Sequence, residues 1–168
     1  MIIWVASYPK SGNTWVRSII SSLVYTENGI FDFPSIKKID QYPQRRFLEY
    51  FTQDYNNIHE IKKHWITSQE RINLDTKIKF FKTHHLNCKI DNYPFTNKEC
   101  TRATIYIVRD PRNLIDSISN HFSKSIEESK KFLLTSKILS PGKEIELRGG
   151  NVITCLLYTS DAADEWIG

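Results

Sequence analysis

The strongest constraint on the fold is a strand, a loop and a helix written in succession at the N-terminus. Ile2-Ile3-Trp4-Val5-Ala6 is a continuous apolar run rich in β-branched residues and closed by Ser7-Tyr8-Pro9, the pattern of a buried parallel strand. From Thr14 onward Trp15, Val16, Ile19, Ile20, Leu23 and Val24 return at helical spacing on one face, and Gly29 follows as a stop signal. Between the two lies Tyr8-Pro9-Lys10-Ser11-Gly12-Asn13-Thr14-Trp15. A loop entering a helix offers unpaired backbone N–H groups at the positive end of the helix dipole, and Gly12 lets the backbone approach an anion closely. Lys10 adds a point charge, while Ser11 and Thr14 add hydroxyl donors, so the segment is expected to hold a phosphate group. The competing reading is an ordinary turn with a Thr or Asn helix cap and a solvated lysine. Lys10 precedes the glycine, so the G-x-x-x-x-G-K-[ST] order of nucleoside-triphosphate loops is absent.

A second unit repeats the pattern. Ala103-Thr104-Ile105-Tyr106-Ile107-Val108 reads as a strand, Pro111 suits the first turn of a helix, and Leu114, Ile115, Ile118 and Phe122 form a helical apolar face. Ile78-Lys79-Phe80-Phe81-Lys82 reads as a further strand, and short helices are expected near Gln44 to Phe51 and Glu60 to Arg71. Strands alternating with helices predict an α/β fold with a mostly parallel central sheet and helices on both faces, with ligands bound beyond the carboxyl ends of the strands.

The length of 168 residues predicts one domain, and 40% hydrophobic residues suffice for its core. A formal charge of +4 with scattered basic residues argues against a nucleic-acid partner and allows a local anion pocket. Cys88, Cys100 and Cys155 form no C-x-x-C pair, so neither a disulfide framework nor a metal site is expected. No run approaches the roughly 18 apolar residues of a membrane span, and no signal peptide is visible, which predicts a cytoplasmic protein.

Two more segments carry chemistry. Arg109-Asp110-Pro111-Arg112 closes the third strand; Arg109 could fork onto a second phosphate, with Ser117 two helical turns on. Its plain alternative is an Arg109–Asp110 or neighbouring surface ion pair with a helix-starting proline. Lys82-Thr83-His84-His85 closes the second strand, where a histidine could take a proton from an attacking hydroxyl. Spacing alone does not separate His84 from His85.

Together these segments resemble the sulfotransferases that use 3′-phosphoadenosine 5′-phosphosulfate (PAPS). Tyr8 to Trp15 is similar to their 5′-phosphosulfate loop Y-P-K-S-G-T/N-T-W, Arg109 with Ser117 eight positions later to their 3′-phosphate segment, and Lys82-Thr83-His84 to their K-T-H element. The resemblance runs through roughly the first 125 residues. It implies a P-loop-like three-layer α/β/α fold, with His84 as catalytic base and Lys10 stabilising the leaving phosphate. It further implies a PAPS site made by Lys10, Ser11, Gly12, Asn13, Thr14, Trp15, Arg109 and Ser117, with Trp15 beside adenine. PAPS is the implied co-substrate, with no metal, and the implied acceptor is a small-molecule or glycan-type hydroxyl or amine. The family's closing loop, R-K-G-x-x-G-x-W, is absent, so residues 1–154 read as the N-terminal portion of the domain and the C-terminal part as missing. Residues 155–168 form an atypical tail in which Leu156 to Glu165 resembles a translated sequencing-adapter read-through. A nucleotide kinase-like phosphate-loop transferase and a non-catalytic nucleotide-binding module are the alternatives.

Overall fold

The computed structural model describes residues 1–55 and 57–134, together with the backbone of 137–139 and 155–157. Strand β1 (Ile2–Ser7) runs up the middle of a four-stranded sheet and leads through the loop into helix α1 (Asn13–Tyr25). On one side β1 pairs in parallel with β3 (Lys79–Thr83), Trp4 opposite Phe81 and Ala6 opposite Thr83. On the other it pairs in parallel with β6 (Thr101–Ile107), Ala6 opposite Tyr106. A two-residue strand β2 (Asp40–Gln41) adds to the outer side of β3, again in parallel, giving the order β2-β3-β1-β6. The fold is the expected P-loop-like α/β architecture, and the ends of β3, β1 and β6 lie side by side at its carboxyl edge.

The intervening segments are short. Helices α2 (Phe33–Ile36), α3 (Arg45–Leu48) and α4 (Ile58–Ile61) are one turn each, and a 3-10 turn joins α4 to α5 (Trp65–Asn73). The helix expected over Gln44 to Phe51 therefore contracts to α3, and the one over Glu60 to Arg71 breaks in two. Strands β4 (Lys89–Ile90) and β5 (Tyr93–Pro94) form a small antiparallel hairpin turned by Asp91 and Asn92, both at positive φ. Beyond β6, a 3-10 turn at Pro111–Asn113 opens α6 (Leu114–Phe122), which packs against α7 (Ile126–Leu134). The backbone of β7 (Lys137–Leu139) pairs with β8 (Cys155–Leu157) in antiparallel. The boundary expected at Thr154 lies outside the described residues.

Trp4 is the centre of the core. Its ring lies 5.6 Å from Tyr42, 6.2 Å from Phe81 and 5.5 Å from Phe95, and its Nε1 donates to Thr101 Oγ1 at 2.9 Å. Ile2, Leu48, Ile58, Ile61 and Trp65 complete the cluster. The polar and aromatic segment from Ile30 to Thr76 thus contributes five side chains to this cluster: Tyr42, Leu48, Ile58, Ile61 and Trp65. The apolar stripe of α1 behaves differently from its pattern. Trp15, Ile19, Leu23 and Val24 are 72%, 44%, 74% and 50% exposed, while Ser21 and Ser22 are buried. The reason is local: α1 packs on α2 through hydroxyls, with Ser35 Oγ donating to Ser21 Oγ at 3.2 Å. Among the described residues no helix is long and apolar enough to cross a membrane.

Candidate active site

The loop from Tyr8 to Gly12, in which the Ser11 amide donates to Tyr8 O at 3.3 Å, leads into a helix start with open amides. Lys10 and Gly12 both adopt positive φ, 69° and 100°. The first turn-to-helix bond is Val16 N–H to Gly12 C=O at 3.2 Å, so the amides of Asn13, Thr14 and Trp15 precede the helical ladder. No side chain caps α1, and its first turn carries no acidic residue. A Cβ added at Gly12 would meet nothing within 4 Å, so the glycine serves the backbone conformation and leaves open space above the loop. The Thr or Asn cap of the competing reading does not form, and a helix start of this kind is suited to an anion.

The side chains divide by direction. Ser11 and Asn13 are buried, Lys10 is half-buried, and Thr14 and Trp15 are exposed. The Asn13 amide turns back to β1 and donates from Nδ2 to Val5 O at 2.9 Å and to Ser7 Oγ at 3.1 Å. What Asn13 presents to the loop is therefore its backbone N–H.

Arg109, just past the end of β6, reaches across and donates from Nη1 to Lys10 O at 3.1 Å. The surface ion pair of the plain alternative forms at the neighbouring Asp110 and Arg112. Asp110 is forked by Arg112, with Nε to Oδ1 at 3.0 Å and Nη2 to Oδ2 at 2.6 Å, and it also accepts from the Arg112 amide at 2.9 Å. These contacts fix the turn at Pro111 and hold Asp110 below the usual carboxylate range. Ser117 is half-buried on α6 beside the buried Ile118, and it has no hydrogen bond to the loop among the described residues.

The two histidines part company at the end of β3. His84 Nδ1 lies 2.7 Å from Ser7 O and 3.3 Å from Ser7 Oγ. A carbonyl only accepts, so Nδ1 carries the proton and the lone pair is on Nε2. Burial lowers its pKa to about 4, helped by the cations of Lys82 and Arg17 and opposed by the Ser7 bond. His85 is core: its ring stacks on Phe95 at 4.4 Å and meets the Trp65 edge at 4.8 Å, with Nδ1 donating to Leu86 O at 2.7 Å. Lys82 Nζ donates to Gln41 Oε1 at 3.1 Å.

Three strand ends thus meet through two contacts, His84 to Ser7 and Arg109 to Lys10, and these bring together Lys10, His84 and Arg109 from far apart in sequence. Sequence reasoning passed over Ser7, which reads as a strand terminator, and Arg17, which reads as a solvated helix residue. Arg17 is half-buried and donates from Nη1 to Ile39 O at 3.2 Å. Its one signal was spacing: it lies one helical turn beyond Asn13, on the same side of α1. Among the described residues no group of three or more His, Cys, Asp or Glu is arranged to hold a metal ion.

No curated protein matches the chain. A family model described as the sulfotransferase domain matches residues 2–142 of the 168 and so spans all three strand-end segments. With these segments gathered at one edge of a parallel sheet, the chain belongs to the sulfotransferase domain family.

Proposed function

We propose that this sulfotransferase takes its sulfuryl group from PAPS and passes it to a hydroxyl or amine of a small-molecule or glycan-type acceptor. The observation that carries the reading is the pairing of an uncapped, carboxylate-free helix start with a neutral histidine one strand away, joined through Ser7. Amides from Gly12 to Trp15, with Lys10 and the Ser11 and Thr14 hydroxyls, bind the 5′-phosphosulfate. Arg109 and Ser117 bind the 3′-phosphate, and Trp15, exposed beside the loop, offers its ring to the adenine.

His84 takes the acceptor proton at Nε2 as the new bond to sulfur forms. The bond from sulfur to the phosphate oxygen breaks, and adenosine 3′,5′-bisphosphate leaves with the electron pair. Lys10 and the loop amides offset charge gathering on that oxygen, so positioning and electrostatics supply most of the catalysis, as in phosphoryl transfer. Because Nδ1 is already committed to Ser7 O, the proton arrives at a nitrogen with no competing bond among the described residues. We place the protein in the cytoplasm, the reducing compartment that suits a cysteine pattern with no C-x-x-C pair.

Calorimetric titration with adenosine 3′,5′-bisphosphate and with ATP tests the ligand directly. Tighter binding of the bisphosphate is expected; tighter binding of ATP contradicts the reading and points to a phosphoryl-transfer enzyme.

A further inference from the structure

Asn13 is the first residue of α1 and only 5% exposed, yet its side chain neither caps the helix nor turns to the open loop. Its orientation is fixed by chemistry. Val5 O can only accept, so the amide nitrogen must face it, and the second hydrogen of the same nitrogen goes to Ser7 Oγ. Oδ1 is left buried without a partner, a cost to the fold that the two nitrogen bonds alone offset. Both bonds tie down the end of β1, and Ser7 is where they meet His84, its carbonyl accepting from Nδ1–H at 2.7 Å with its hydroxyl oxygen 3.3 Å away.

We infer that Asn13 and Ser7 are positioning residues for His84: they fix the end of β1 so that the imidazole is held in its Nδ1–H tautomer with Nε2 bare. Asparagine is the residue type suited to this task. It presents two N–H groups in one plane, whereas aspartate would set an oxygen against Val5 O and alanine would remove both bonds. The logic is that of a base whose second ring nitrogen is locked by an acceptor, where the wrong tautomer removes the lone pair from the reacting side. Calling the lock catalytic rests on the reading of His84 as the base of sulfuryl transfer; the lock itself does not.

Histidine 15N–1H correlation spectra of the full chain read the tautomer of His84 without any turnover. The wild-type protein is expected to show Nδ1–H, and Ser7→Ala and Asn13→Ala are expected to show a mixture with Nε2–H. In a sulfuryl-transfer assay Ser7→Ala should lower kcat by about 10-fold or more, with binding of adenosine 3′,5′-bisphosphate changed by less than about twofold. Ser7→Thr, which keeps the hydroxyl, should restore both the spectrum and the rate. An Nε2–H tautomer in the wild type overturns the inference, and so does an unchanged tautomer in the variants. If Asn13→Ala does not fold, Ser7→Ala with its threonine rescue decides alone. The expected tautomer pattern with no transfer by the wild type supports the lock and counts against the sulfuryl-transfer reading only.

Discussion

His84 and His85 are neighbours in the chain with opposite surroundings. Both pKa values fall to about 4 from an ordinary value near 6.5, His85 wholly by burial and His84 by burial with nearby cations. Between those values the unfolded chain binds more protons than the folded one. Stability therefore rises with pH across that window and is lost as pH falls through it, by about 1.4 kcal/mol per pH unit for each ring at most. Urea unfolding at pH 7 and pH 4.5 should show this loss, reduced in His84→Gln; an equal loss in the variant would contradict the burial argument. A different prediction concerns the ligand. Lys10→Ala and Arg109→Ala should each weaken adenosine 3′,5′-bisphosphate binding by about 10- to 100-fold, the scale of a lost charge-assisted contact, as measured by calorimetry. Unchanged affinity in either variant would remove that residue from the site. At this scale the sequence made Lys10, Arg109 and His84 visible because their chemistry stands at strand ends. Spacing alone could not separate the histidines, a choice left to the family resemblance, since it depends on Phe95 and Trp65 closing over one ring from elsewhere in the chain. It missed Ser7 for the same reason: its partner is 77 residues away.

Elements were legible in proportion to their length. Strands β1, β3 and β6 and helices α1 and α6 carry enough residues for a period to show, and each lies within a few residues of its expected place. The two-residue strands β2, β4 and β5 are too short to have a period, and the single-turn helices α2 to α4 are set by caps and tertiary contacts, such as Asp32 Oδ1 accepting from the Ser35 amide at 2.6 Å. The joint between β1 and α1 gives an element-scale prediction. Gly12 and Gly29 both hold positive φ, 100° and 73°, with open space where a Cβ would stand. Alanine at either should cost about 1–2 kcal/mol through backbone strain alone and lower Tm by several degrees. Only Gly12→Ala should also weaken bisphosphate binding, because only Gly12 belongs to the proposed phosphate loop. Equal effects of the two variants on binding would contradict this account of the loop.

For the whole molecule, the parallel sheet was foreseeable and the core was not. Alternating strands and helices dictate crossovers and a carboxyl-edge site, but the polar, aromatic stretch from Ile30 to Thr76 hides Tyr42, Leu48, Ile58, Ile61 and Trp65, which fold back onto Trp4. Their contribution depends on long-range contacts that no local pattern encodes. Trp4→Ala should cost about 3–5 kcal/mol by emptying the centre of this cluster, a large share of the stability of a domain of this size, and denaturant titration would read it as a lowered midpoint. The same sheet fixes the site, since β1 carries Trp4 to the core and Ser7 to His84. The central claim is that this edge transfers a sulfuryl group with His84 as base. The most direct test follows release of adenosine 3′,5′-bisphosphate from PAPS in the presence of a panel of hydroxyl and amine acceptors, comparing the wild type with His84→Ala. Acceptor-dependent release by the wild type, abolished in the variant while its affinity for the bisphosphate is unchanged, is the predicted result; a variant that turns over at the wild-type rate would contradict it.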